Sequence, residues 1–143
     1  MRKIACIFFM TLLLLLTAVP SFATDTVSSE KDSLQPMYTH ILLLEAGLDV
    51  SSSGRATCSG MVQPSSLNYD CYLTVELQKK SGSSWSTIAT WTEQDINGYG
   101  AELEEYRYVT QGTYRVKSTG VVKNPVNSTG ETGTKYSSEV IYN

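Results

Sequence analysis

Apolar and polar residues are distributed along this chain as one long apolar run followed by many short alternating segments. The first run, Ile4 to Val19, is almost unbroken. From His40 onward, apolar residues alternate with polar ones, which is the pattern of half-buried β-strands. The residues predicted to face inward are Leu42, Leu44, Ala46, Leu48 and Val50 in the first strand, Ala56 and Cys58 in the second, and Cys71, Leu73, Val75 and Leu77 in the third.

Clusters of Gly, Ser, Asn and Pro separate the strands and predict where the chain turns. The predicted turns and loops are Ser51–Gly54, Pro64–Ser66, Lys79–Ser84, Asp95–Gly98 and Asn124–Gly133. The remaining strands are predicted at Trp85–Trp91, Ala101–Val109, Gly112–Val122 and Lys135–Tyr142. About seven short strands without a helical period indicate an all-β fold, a single immunoglobulin- or fibronectin-like β-sandwich spanning residues 40–143.

One tyrosine supports the immunoglobulin-like alternative among sandwiches. Tyr114 follows a turn and begins a strand with an inward side chain, two residues before the core position Val116. That is the placement of a tyrosine corner. In that scheme, Cys58 and Val116 occupy the two positions that carry the bridged cysteines of antibody domains. An ordinary half-buried strand tyrosine is the alternative.

The N-terminal segment has the three parts of a secretory signal peptide. Met1-Arg2-Lys3 is positively charged, the apolar run follows, and Ser21-Phe22-Ala23 is a small-x-small cleavage site. We therefore predict a signal helix over residues 1–23 that is cut between Ala23 and Thr24. Residues 24–39 are polar and predicted to form a flexible lead-in. The expected location is extracellular, with no stable membrane anchor after cleavage.

Charge narrows the possible partners. The chain carries 11 basic and 14 acidic side chains, a net charge of −3, and loss of Arg2 and Lys3 with the leader would make it −5. An acidic protein without a basic stripe is a poor ligand for nucleic acid, whose phosphates need cations. We expect a monomer that binds a protein or a cell-envelope glycan and uses no cofactor.

Two cysteines, Cys58 and Cys71, remain after removal of the leader. An even pair in an exported protein is compatible with a disulfide. Two buried, unpaired thiols are the equally weighted alternative.

The residues that catalysis or metal binding would need are sparse. His40 is the only histidine, and no nucleophile motif accompanies it. Glu102, Glu104 and Glu105 lie near Asp95 and Asn97 in sequence, but Glu102 and Glu104 share the outward parity of a strand. A solvated face explains them better than a glycosidase pair or a calcium loop. We predict no catalytic and no metal site, and not an enzyme.

The aromatic residues are the best candidates for a binding surface. Strict alternation puts Trp85 and Trp91 on one outer face near Tyr72, which would make a platform for sugar rings or a protein. The favoured alternative is a β-bulge between the two tryptophans, which would turn one of them into the core.

Several segments resemble one known family. They are Leu77–Thr87, Gly112–Lys117, Ala56–Gly60 and Thr134–Ser138. Together these segments resemble small secreted proteins of clostridia-like Gram-positive bacteria, classed as a domain of unknown function. The resemblance covers most of Leu48 to Tyr142, implies an exported β-sandwich and implies no activity. Cys71 departs from the pattern, which weighs against a bridge.

The function expected from the sequence is non-enzymatic interaction through an outer strand face. The alternative is a secreted effector or small inhibitor that acts through an exposed loop such as Asn124–Gly133.

Overall fold

The computed structural model describes residues 37–143, so the predicted signal peptide and most of the predicted lead-in lie outside it. Within this range the chain forms eight strands: β1 (Ile41–Val50), β2 (Arg55–Pro64), β3 (Tyr69–Ser81), β4 (Ser84–Gly98), β5 (Ala101–Tyr108), β6 (Gly112–Lys123), β7 (Gly130–Tyr136) and β8 (Val140–Tyr142). None of these residues belongs to a helix that is long and apolar enough to cross a membrane.

The strands form two antiparallel sheets that pack around one core. The first sheet has the order β1-β2-β5, and the second has the order β4-β3-β6-β7 with β8 paired to β6. The predicted all-β sandwich is confirmed, with eight strands where about seven were expected. The predicted closing strand is divided at Ser137. The Ser137 amide donates to the Val116 carbonyl, and the Val116 amide donates to Ser137 Oγ, so a side chain takes the place of the next ladder bond and β7 ends.

The alternation predicted for the central strands is confirmed. The inward residues of β2 and β3 are essentially inaccessible: Ala56, Cys58, Val62, Cys71, Leu73, Val75 and Leu77. The prediction for Leu42 is wrong, since its side chain is 70% exposed. A β-bulge between Ile41 and Leu43 shifts the alternation, so that Ile41 faces the core in place of Leu42, while Leu44 faces inward as predicted.

Three predicted turns are shorter than expected or displaced. The β3–β4 hairpin turns on Gly82 and Ser83 alone, and Gly82 has the positive φ of 60° that a two-residue hairpin requires. The turn predicted at Asp95–Gly98 lies inside β4, because the Asp95 carboxylate accepts the amides of Tyr99 and Gly100 and moves the reversal there. The loop predicted to reach Gly133 ends earlier, since β7 begins at Gly130.

The two sheets approach closely where β2 faces β3 and β6, and a Cβ atom added to Gly60 would overlap Val75 Cγ2 on β3. A Cβ atom added to Gly60 would lie 2.8 Å from Ser118 Oγ, and one added to Gly120 would lie 2.7 Å from Val62 Cγ2. The facing pairs therefore advance by two residues on each strand. The same progression puts Cys58 opposite Val116.

This geometry separates the two cysteines. Cys71 is the cross-strand partner of Val122, whereas Cys58 faces the level of Val116. Six residues of strand correspond to about 20 Å, far beyond the reach of a disulfide. The pair is not bridged: both thiols are free and buried, the second of the two alternatives. Burial raises the pKa of Cys58 to about 12 and, with the nearby Asp95 and Asp70, that of Cys71 to about 11.

Tyr114 points inward as predicted and is almost completely buried. Its hydroxyl donates a hydrogen bond to the carbonyl of Thr110, four residues upstream. This bond is the defining feature of a tyrosine corner.

Glu131 fixes the start of the described chain to β7. Its carboxylate accepts the backbone amides of Thr39 (3.0 Å), His40 (2.7 Å) and Ile41 (3.0 Å). Burial alone would raise the pKa of Glu131, but these three hydrogen bonds outweigh it and hold the pKa below its ordinary value of 4.5. The carboxylate thus stabilises the folded state while it is ionised.

We predict that Glu131→Gln lowers the melting temperature at pH 7 by about 5 °C, because a neutral amide accepts these bonds less strongly. A depressed folded pKa contributes stability above the unfolded pKa, near 4.5, and this stability is lost as the pH falls through the folded pKa. The difference between variant and parent should therefore shrink below about pH 4.5. Glu102→Gln, on the exposed outer face of β5, is the control. A difference that persists unchanged at pH 3 would contradict the assignment.

Candidate functional site

A β-bulge in β4 separates the two tryptophans. Leu77 pairs with Ala89, but the next residue, Gln78, pairs with Thr87, so Ile88 is the extra residue. Trp91 consequently shares the inward parity of Ala89 and packs against the core, while Trp85 shares the outward parity of Thr87. The predicted bulge is thus present. The structure keeps Trp85 and Tyr72 on one face and removes Trp91 from it.

That face is the outer surface of the second sheet, and a row of threonines crosses it. Thr92, Thr74, Thr119 and Thr134 are successive cross-strand partners on β4, β3, β6 and β7. With strands about 4.8 Å apart, the four side chains span about 14 Å. Threonine is common on exposed strands, so the row alone does not indicate a binding site. The residues that flank it must be considered as well.

An aromatic ring lies on each side of this threonine row. Tyr72 is two residues from Thr74 on β3, and Tyr136 is two residues from Thr134 on β7. Beside Tyr72 the surface forms a shallow depression of about 540 Å³, lined by Tyr72, Leu73, Thr74, Thr92, Glu93 and Gln94. The depression joins an aromatic ring to hydroxyl, amide and carboxylate groups, and Lys123 Nζ lies 5.1 Å from the ring centroid of Tyr72.

On the other side, Arg115 is held between two rings. Its Cζ lies 4.2 Å from the ring centroid of Trp85 and 4.2 Å from that of Tyr136. Its Nε donates to Gln78 Oε1 at 2.9 Å, and Gln78 is only 7% exposed. We call Trp85, Arg115 and Tyr136 the arginine clamp. Contacts of this kind contribute about 1 kcal/mol each, and more when water is excluded.

A polar network extends from the clamp along β3. Gln78 Nε2 contacts Thr87 Oγ1 at 3.4 Å, and Thr87 donates to Glu76 at 2.9 Å. Glu76 also accepts a hydrogen bond from Lys117 Nζ at 2.8 Å. This bond lowers the pKa of Glu76 and raises that of Lys117, so the pair stays ionised over a wide pH range. The side chains of this face are therefore oriented by one another.

The other residues singled out in the sequence lie elsewhere. His40 packs edge-on against Tyr69, with ring centroids 5.6 Å apart. Glu102 and Glu104 lie on the outer face of the first sheet, opposite Met61 and Ser59. Glu105 is exposed on the same strand, and Asp95 and Asn97 belong to the end of β4. Among residues 37–143, no three His, Cys, Asp or Glu side chains converge as metal ligands.

The sequence pattern singled out Trp85 but not the other two members of the arginine clamp, Arg115 and Tyr136. It also missed an aromatic pair on the first sheet, Tyr106 and Tyr108, whose rings meet edge-on at 6.3 Å with Arg55 stacked 4.3 Å from Tyr106. The Tyr-x-Tyr alternation was visible in the sequence and predicts a shared face. The neighbours of Trp85 required the strand register, which no local pattern contains.

We predict that Trp91→Ala lowers the free energy of unfolding by about 3 kcal/mol, as truncation of a core aromatic does. Trp85→Ala should cost only about 1 kcal/mol, the size of its cation–π contacts. Denaturant melts of both variants make the measurement. Equal costs would mean that the bulge does not separate the two rings.

Comparison of the chain with models of known protein families, with curated proteins and with solved structures gave no match.

Proposed function

We propose that the protein is an exported, non-enzymatic interaction module that binds cell-envelope glycan on the outer face of its second sheet. The observation that carries this proposal is the threonine row between Tyr72 and the arginine clamp. A sugar ring offers C–H faces that stack on aromatic rings and hydroxyls that bond to polar side chains. This face supplies both groups, in one surface that crosses four strands.

Three further predictions belong to the same proposal. The signal peptide and extracellular location are proposed from residues 1–23, and the relation to the clostridial family is proposed from the resemblance of the quoted segments. An immunoglobulin- or fibronectin-like topology is supported by the strand orders β1-β2-β5 and β4-β3-β6-β7 and by the bond from Tyr114 to Thr110.

The experiment uses Trp85 as its reporter. Trp91→Phe leaves Trp85 as the single tryptophan, since the chain has two. Purified cell-wall glycan should then protect Trp85 from iodide quenching. In the converse variant, Trp85→Phe, the glycan should leave the quenching of Trp91 unchanged, because that ring packs against the core.

We predict that Thr74→Val weakens glycan binding about tenfold, the equivalent of one hydrogen bond, without changing the melting temperature. Valine keeps the shape and strand preference of threonine and removes only the hydroxyl. Thr57→Val is the matched control, since Thr57 faces outward on β2, the central strand of the first sheet. Equal binding by both variants, with no protection of Trp85, would exclude this face as the binding surface.

The loop alternative has its own structural support. Asn124–Thr129 is braced by two backbone bonds between its ends, Asn124 N to Thr129 O and Ser128 N to Asn124 O. The side chain of Asn124 also accepts the amide of Val126, which is 91% exposed at the tip. A braced loop that presents one apolar side chain is the form in which small inhibitors enter a protease pocket.

We predict that, if this second function holds, the protein inhibits an elastase-type protease, whose small pocket accepts valine. Val126→Asp should then raise the inhibition constant at least a hundredfold, because a charge would be buried without a partner. Ile141→Asp, at another exposed apolar position, is the control. Cleavage of the loop without inhibition would exclude this alternative.

A further inference from the structure

Arg115 is a positioned cation that has no carboxylate partner within the described range. Salt bridges within residues 37–143 join Lys80 to Glu139 and Lys117 to Glu76, and Arg115 takes part in neither. Its guanidinium is nonetheless positioned from three sides, by the rings of Trp85 and Tyr136 and by Gln78. In this part of the chain only its Nε donates a hydrogen bond. The Nη groups have no acceptor there.

The arginine clamp restricts the kind of acceptor group that the Nη atoms of Arg115 can bind. Because two rings lie 4.2 Å from Cζ and Gln78 accepts the hydrogen bond of Nε, the Nη groups are the part of the guanidinium that is left for a ligand. The edge of a guanidinium presents two parallel N–H donors, which match the two oxygens of a carboxylate or phosphate. Gln78 is itself almost buried, so the orientation of the donors is set before a ligand arrives.

The surrounding charges leave this edge electropositive. Glu76 lies on β3, beside Gln78's cross-strand partner Arg115, and its carboxylate already accepts hydrogen bonds from Lys117 and Thr87. Glu139 is paired with Lys80, whose Nζ lies 5.4 Å from the ring centroid of Trp85. Both carboxylates are thus neutralised.

From these contacts we infer that the Nη edge of Arg115 binds an oxyanion, and that the glycan taken by this face is acidic, bearing carboxylate or phosphate groups. The inference rests on the proposed function in that it names the chemical class of its ligand. The threonine row and Tyr72 would contact the neutral part of the same chain of sugars.

Nuclear magnetic resonance of the arginine side chains tests the oxyanion site without any glycan. The described residues hold three arginines, and Arg55 and Arg107 serve as internal controls: Arg55 stacks on one ring only, and Arg107 donates to the carbonyl of Ile88. At constant ionic strength, inorganic phosphate or acetate should shift the Nε–Hε signal of Arg115 saturably, and the other two at least fivefold less. Equal, non-saturating shifts of all three would overturn the inference. The stronger of the two anions identifies the group.

A matched panel of dextran, carboxymethyl dextran and dextran phosphate then tests the ligand class. The protein should bind one of the acidic polymers at least tenfold more tightly than dextran. Arg115→Lys, which keeps the charge but loses the two-donor edge, should abolish this preference. Lys135→Gln removes a cation near Glu45 and Glu102 on another surface and should leave it unchanged.

The two proposals fail in different ways. Protection of Trp85 by cell-wall glycan, without any preference for acidic polymers and without effect of Arg115→Lys, would overturn the oxyanion site and leave the glycan face standing. A saturable phosphate or acetate shift at Arg115, without protection of Trp85 by any glycan, would support the site and refute the proposed function.

Discussion

The close approach of β2 and β6 is the constraint on which the rest of the sandwich depends. Gly120 has no room for a side chain, since a Cβ atom there would lie 2.7 Å from Val62 Cγ2 and 2.9 Å from Leu44 Cδ1. The neighbouring inward residue, Ser118, is fully buried, and its hydroxyl has no hydrogen-bond partner among residues 37–143. A small side chain fits at position 118, but the buried, unsatisfied hydroxyl of Ser118 destabilises the folded state. Because side chains alternate, fixing positions 118 and 120 inward also fixes Arg115, Lys117 and Thr119 outward.

The bulge at Ile88 is the second determinant of the outer face. Without the extra residue, Trp91 and Trp85 would lie on the same side of β4. The bulged backbone is stabilised from the other sheet, because Arg107 Nη1 on β5 donates to the Ile88 carbonyl at 2.6 Å. That bond occupies a carbonyl of an edge strand, where an unpaired group would otherwise be open to another chain. One irregularity thus completes the core with Trp91 and places Trp85 over Arg115.

The sequence predicted the features that depend on neighbouring residues and not those that depend on residues far apart in the chain. Strict alternation identified the inward residues of β2, β3 and β6, because these central strands are covered on one face and regular. It failed at Leu42, where a bulge at the start of β1 breaks the period. The turn assigned to Asp95–Gly98 was displaced by side-chain bonds that no composition reveals. The threonine row and the clamp were beyond prediction, because they join residues up to 60 positions apart through the register.

The side chains on the outer face of the second sheet hold one another in place, which exposed side chains do not generally do. An isolated exposed ion pair contributes little, since holding two long side chains in one geometry costs conformational entropy. Here the cost is shared along a chain of contacts, from Lys117 through Glu76, Thr87 and Gln78 to Arg115. Each member restricts the next, so that little freedom remains to be lost when a ligand binds. A surface that had only to stay soluble would not need its arginine held between two rings, and this pre-ordering is why the face, rather than a loop, is the stronger candidate for binding.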